Sequence, residues 1–188
     1  MGVLNKMKLH LGCGPVIKQG FINIDILDVV HPDYVKHDLT KGLPPEVIVS
    51  SEPIDLVYSS HFLEHLSNSD AANLLNACYS AMSPGGVIKL CLPDIVTCIK
   101  EWINGNTDYF KHISRASFGI PSNLYSWISY LEFATHQSGE HLALWNEEKA
   151  FLYLKEAGFK NMKSRPPEDI DGTDAARLAY SFFVQAEK

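Results

Sequence analysis

Hydrophobic positions fall in short runs punctuated by glycine, proline and polar residues, the rhythm of alternating strands and helices and not of a repeat or one long helix. Met7–Leu11 reads as a strand closed by Gly12-Cys13-Gly14-Pro15. Residues 21–26 read as a second, apolar except for Asn23 and Asp25, and Tyr34–Lys36 as a weaker third. The run 54–58 predicts a strand leading into the polar elbow Ser59-Ser60-His61. Beyond it Ser69 or Asp70 can cap a helix over 71–82 whose stripe is Leu74, Leu75 and Cys78. Ser83-Pro84-Gly85-Gly86 stops that helix. The run 87–92 predicts another strand, after which Asp94 can cap a helix reaching Trp102 or Ile103.

Residues 105–140 break the rhythm, carrying Phe110, Phe118, Tyr125, Trp127, Tyr130 and Phe133 among polar residues, and read as an inserted lid or substrate segment. The pattern resumes with a helix over 146–157, stopped by Gly158, and a last strand over 179–185. Together these predict an α/β fold: one Rossmann-like domain over residues 1–188, with a doubly wound, mostly parallel sheet and helices on both faces. Only nine residues, 12–20, separate the first two strands, too few for a crossover helix, so the first crossover is expected to be truncated.

Composition narrows the function. With 188 residues, 46% of them hydrophobic, the chain can bury an ordinary core without disulfides or a structural metal. Sixteen Lys and Arg against 22 Asp and Glu, a net charge of -6, provide no basic face, so nucleic acid is not expected as a partner. Cys13, Cys78, Cys91 and Cys98 form no C-x-x-C pair, which fits a reducing compartment. Neither a signal peptide nor a run of roughly 18 apolar residues is visible, so the expected location is cytoplasmic, without membrane insertion. The aromatic stretch 124–133 has no Lys or Arg. It reads as a lid over an apolar acceptor, a homodimer face or core packing, and not as a membrane-surface helix.

The chemistry begins with Gly12 and Gly14, at a strand end where glycines let backbone N–H groups approach a ligand. Asp25, ending the second strand, could accept hydrogen bonds from vicinal ribose hydroxyls. The dinucleotide fingerprint is incomplete, because Ile17 stands where the third glycine belongs and Asp25 follows Gly14 by only eleven residues.

The succession Leu9-His10-Leu11-Gly12-Cys13-Gly14, Asp25, Asp38-Leu39, Ser59-Ser60-His61-Phe62-Leu63-Glu64-His65-Leu66 and the segment 75–86 ending Ser83-Pro84-Gly85-Gly86 resembles the class I S-adenosylmethionine-dependent methyltransferases. The likeness runs from about Lys8 to Asp94, with an echo in residues 145–159 and 180–185, and leaves 105–140 uncovered. It implies S-adenosylmethionine as cofactor. Gly12, Cys13 and Gly14 would line its methionine end and Asp25 would bind the ribose, with Asp28 as the fallback. Asp38 would take the adenine amino group, Leu39 would offer its N–H to the ring, and Ser59 and Ser60 would pass under the sulfonium.

Of the residues after the fourth strand, His61 is the preferred candidate base, the alternative being that it packs against the cofactor while Glu64 and His65 solvate the elbow. His141 is a second candidate acid/base or substrate residue. His136, Glu140 and His141 lack the H-E-x-x-H arrangement, so no metal is expected. The function this implies is methyl transfer to a small or medium acceptor at oxygen, nitrogen or carbon. Two alternatives stand beside it: an inactive methyltransferase-like module that senses cofactor or binds a partner, and a nicotinamide- or nucleotide-sugar-dependent Rossmann enzyme.

Overall fold

A computed structural model describes residues 6–111, 124, 126–172 and 174–188. Its strands are β1 (Met7–Leu11), β2 (Ile22–Asp25), β3 (Tyr34–Lys36), β4 (Ile54–Ser60), β5 (Met82–Pro93), β6 (Lys160–Ser164) and β7 (Ser181–Glu187). The helices are α1 (Pro45–Ile48), α2 (Asn68–Ala81), α3 (Ile95–Ile103), α4 (Ile128–His136), α5 (Glu147–Glu156) and α6 (Ala175–Ala179). The strands form one sheet in the order β3-β2-β1-β4-β5-β7-β6. The first five are parallel, and β7 runs antiparallel to both β5 and β6. The expected Rossmann-like, mostly parallel α/β sheet is therefore present. No helix among the described residues is long and apolar enough to cross a membrane.

The two faces of the sheet differ in chemistry. Leu9, Val57, Ile88 and Ala186 lie in one cross-strand row and Leu11, Ser59, Leu90 and Val184 in the next. This aliphatic face is buried under Leu74, Leu75 and Cys78 of α2 and Ala150 and Leu154 of α5. On the opposite face Asn23, His10, Tyr58, Lys89 and Gln185 make a polar row. Alternation along each strand puts these sets on opposite sides. The polar face is covered by the loop after β1 and by the connection between β6 and β7, which carries the short α6. Tyr58 donates to Asp171 (3.3 Å), Lys89 pairs with Glu168 (2.5 Å) and Lys18 donates to the Ile170 carbonyl (2.6 Å).

The first crossover is a loop with no helix. Asn23, fully buried on β2, takes the fastening role. Its Oδ1 accepts from Lys18 N–H (2.8 Å) and faces His10 Nδ1 (3.0 Å), and its amide hydrogens are shared among the carbonyls of Lys18, Phe21 and Asp33. A buried amide with every hydrogen-bonding group engaged can tie a loop down where no helix packs.

Several boundaries differ from the sequence expectation. Ser67, not Ser69 or Asp70, caps α2, its hydroxyl accepting from Asp70 N–H (3.1 Å). β5 begins directly at Met82, so Ser83-Pro84-Gly85-Gly86 lies within a strand instead of a loop. The last strand starts at Ser181, two residues late, because residues 175–179 form α6. β6 has no hydrophobic signature: four of its five residues are exposed, and it pairs along the sheet edge with β7 while Met162 alone packs against the core.

In the aromatic segment, Trp102 and Trp127 stack at 6.4 Å and each indole N–H donates to the other's carbonyl (2.9 and 3.1 Å), fastening α3 to the start of α4. Phe110 is buried against Trp127 and Tyr130. Phe118 and Tyr125 lie outside the described residues.

Candidate active site

β1, β4 and β5 end on one edge of the sheet, and β1 and β4 flank the point where chain order reverses, the usual ligand crevice of an open α/β sheet. Two cavities open there. The first, about 390 Å³, is bordered by Gly12, Cys13, Gly14, Ser60, Lys18 and Arg177. The second, about 260 Å³, lies beyond β4 and β5 and is bordered by Glu64, Asp94, Phe110, Phe133, His141 and Trp145. His61 lines both.

Gly12 is required by its neighbours: φ is +63° and a Cβ there would lie 2.0 Å from the Phe62 ring. Gly14 also has positive φ (+55°) but nothing stands within 4 Å of where its Cβ would be, so it opens onto the cavity. Its N–H donates to Asp25 Oδ2 (2.8 Å), while Asp25 Oδ1 accepts from Leu27 N–H (3.2 Å). Asp25 is thus held at the end of β2 beside the glycine turn. Asp28, further out, pairs with Lys36. The Cys13 thiol is pushed up to about 12 by burial and then by the Asp25 charge, so it is not a nucleophile at neutral pH.

Asp38 and Leu39 sit further along the same edge, past β3, and do not border the cavity. The Asp38 carboxylate accepts from Thr40 N–H (3.1 Å) and Thr40 Oγ1–H (2.7 Å), bonds that hold its pKa below the ordinary value, and Leu39 is in the core. The two serines of the elbow part ways. Ser59 faces the aliphatic side and gives its hydroxyl to the Leu11 carbonyl (3.1 Å), whereas Ser60 borders the cavity and its carbonyl accepts from Arg177 (3.0 Å).

His61 adopts φ +51°, a strained conformation for a side chain of this size. It is held by its N–H to the Cys91 carbonyl (2.9 Å), by the Tyr180 ring edge (5.6 Å) and by Nε2 to Ser181 Oγ (2.7 Å). Ser181 spends its own hydrogen on the Arg177 carbonyl (2.6 Å), so Nε2 must be the donor and Nδ1 bears the lone pair. Burial, with Arg177 nearby, lowers the His61 pKa to about 3. An imidazole in that state stays neutral at pH 7 and is a weak base.

Glu64, on the turn Leu63–His65, is buried to 2% exposure. Its Oε1 is 3.5 Å from His61 Nδ1, but neither carboxyl oxygen has a hydrogen-bond partner, and burial pushes its pKa up to about 8. The Leu142 and Ala143 N–H groups both donate to the Glu64 carbonyl (2.8 and 3.1 Å), which brings the chain after α4 alongside the elbow. That contact places His141 against His65, ring centroids 5.0 Å apart; burial and then His65 lower its pKa to about 4.

Lys18, Arg177 and Trp145 were not singled out from sequence. Arg177 reaches the site from α6 and Lys18 from the helix-free crossover. Both depend on how the β6–β7 connection folds back over the sheet, for which there is no local signal.

No family model and no curated protein matches the sequence. Solved structures match its fold. An S-adenosylmethionine-dependent methyltransferase from Archaeoglobus fulgidus superposes with a TM-score of 0.56 at 17% identity, covering 97% of this chain and 86% of its own. One from Mesorhizobium loti gives 0.53 at 19%, covering 97% and 90%. The chain has the class I methyltransferase fold. The N-methyltransferase NodS from Bradyrhizobium japonicum, solved with S-adenosyl-L-homocysteine, gives 0.51 at 12%, covering 97% and 78%. Between β1 and β2 the present chain has a loop and no helix, in line with the nine-residue spacing of the first two strands. The charged side chains that border the cavity beside the glycine turn are Lys18 and Arg177 together with Asp171 and Asp174.

Proposed function

We propose that the protein is an S-adenosylmethionine-dependent methyltransferase acting on a small acceptor held in the aromatic cavity. The observation that carries this reading is the pair of cavities meeting at His61: one bordered by the glycine turn, the other by aromatic rings and a few polar groups.

The first cavity suits the cofactor. Gly14 leaves open space beside the strand end, Arg177 keeps a buried Nε without a hydrogen-bond partner, and Lys18 adds a second cation. Lys18 and Arg177 would hold the methionine carboxylate, and the Gly12–Gly14 backbone and Ser60 would line the methionine end. Asp25 would bind the ribose, while Asp38 and the Leu39 N–H would flank the adenine. With no helix opening after Gly14, the chain lacks the N-terminal dipole that holds a pyrophosphate, which favours a cofactor without phosphates over a dinucleotide. When bound, S-adenosylmethionine supplies a methyl group already activated as a sulfonium, so the protein's part is chiefly alignment.

Phe110, Phe133 and Trp145 form apolar walls for the acceptor, and the buried Trp145 N–H, without a partner, offers it a donor. His61, neutral and locked by Ser181, orients the acceptor at the boundary between the cavities. Isothermal titration with S-adenosylhomocysteine, with NAD as the control, tests the reading. Micromolar binding of the first alone is expected; binding of NAD, or of neither, would overturn it.

A further inference from the structure

We infer that Glu64, His65 and His141 form a binding site for a divalent cation of the zinc type on the rim of the acceptor cavity. One ligand atom from each lies within 4.8 Å of the others. The histidine pair considered from sequence, His136 and His141, is not the one the fold selects: a turn after β4 supplies Glu64 and His65, and the chain 76 residues later supplies His141.

Three observations support a site and not a chance cluster. First, Glu64 is 98% removed from solvent by the 2% exposure of its residue, and both carboxyl oxygens lack hydrogen-bond partners while the side chain borders the cavity. An unsatisfied buried carboxyl is costly, and a cation is one of the few partners that satisfies it. Second, His65 Nδ1 lies 3.1 Å from the Glu140 carbonyl. A carbonyl only accepts, so Nδ1 carries the hydrogen and Nε2 carries the lone pair, the tautomer and outer contact typical of metal-bound histidine. Third, the His141 segment is locked to the Glu64 backbone by the two N–H bonds from Leu142 and Ala143. The ligands' spacing is therefore set by main chain, and side-chain rotation alone must bring them to the distances of about 2.0–2.1 Å that zinc requires.

Two imidazoles and one carboxylate suit zinc or a neighbouring first-row cation better than magnesium, which prefers oxygen ligands. Three protein ligands leave a position open toward the cavity. The site itself stands on these residues alone. Its use rests on the proposed methyl transfer: an acceptor hydroxyl entering the open position would ligate the cation, become more acidic and lose its proton to water. The acceptor class this selects is a hydroxyl compound.

The test is titration of the chelator-stripped protein, without a histidine tag, with zinc chloride by calorimetry and with cobalt(II) by visible absorption. One ion per chain is expected, with at least tenfold weaker binding in Glu64→Gln, His65→Asn and His141→Asn and no change in His136→Asn. Circular dichroism confirms that each variant is folded, and the isosteric Glu64→Gln and the partly exposed His141 give independent readings. No stoichiometric binding, or binding indifferent to all three substitutions, would overturn the site, and equal affinity for magnesium would overturn its zinc character. S-adenosylhomocysteine affinity, measured on the same samples, separates the two proposals: its absence with zinc binding intact would refute methyl transfer and leave the cation site standing.

Discussion

His10 alternates with the apolar positions of β1 and so falls on the polar face of the sheet, yet it is buried there. Its ring is buried between Tyr58 (5.3 Å) and Phe21 (6.4 Å), with Nδ1 donating to Asn23. Burial lowers its pKa to about 4; Lys18 and Arg177 push the same way, and Asn23 and Asp25 oppose them. The unfolded chain takes up the proton near 6.5 and the folded one only near 4, so the folded state binds fewer protons between these values. The stabilisation is fully present above pH 6.5 and is lost as pH falls toward 4, by on the order of 3 kcal/mol. Urea midpoints at pH 7 and 4.5 should show this loss in the native chain and a smaller one in His10→Gln; an unchanged loss would assign the acid sensitivity to other groups.

Among the elements, those with local signals were legible in sequence. Asp94 caps α3 as its position suggests, accepting from Val96 N–H (3.1 Å) and from the Thr97 hydroxyl (2.6 Å). Asn146 opens α5 by accepting from Lys149 N–H (3.0 Å), with Glu147 and Glu148 in the first turn, and Gly158 follows the helix at φ +105°. Replacing Asn146 by Ala should cost about 1 kcal/mol in urea unfolding, while Asn146→Asp should cost much less, since aspartate caps equally well. Elements without a local signal escaped. β6 is polar, and only β7 makes it a strand. α4 lies in the aromatic segment, where rings are used against α3 and Phe110 instead of in a regular stripe. α2 starts earlier than expected: Ser67, Ser69 and Asp70 are all acceptable caps, and Ser67 is the one whose hydroxyl accepts a first-turn N–H, that of Asp70.

At the scale of the whole molecule, the β6–β7 connection closes the face left bare by the missing crossover helix. Its anchor is a buried ion pair: Arg165 and Asp171, with side chains 3% and 0% exposed, share two hydrogen bonds (2.5 and 2.8 Å). Burial alone would raise the Asp171 carboxyl, but the guanidinium and the Glu168 N–H outweigh it and hold it below its ordinary pKa. Asp171 also accepts from Tyr58, which ties the connection to the centre of the sheet. Removing the carboxylate strands the arginine, so Asp171→Ala should destabilise by about 3 kcal/mol. Amide exchange across residues 165–180 should quicken more than in α2. Uniform quickening would mean that the connection is not a separate cooperative unit.

Local stretches of sequence encode the alternation of strands and helices, the glycine turn after β1, the shortness of the first crossover and the polar elbow after β4. Each is written in residues a few positions apart, where backbone preferences and hydrophobic periodicity act. Tertiary structure alone decided which of those residues share a cavity. It brought Arg177 to the Ser60 carbonyl across 117 residues and set His141 beside Glu64 and His65 through two backbone hydrogen bonds. Such contacts depend on how distant segments cover a sheet face, which follows from packing of the whole chain and leaves no periodic trace in any one stretch of it.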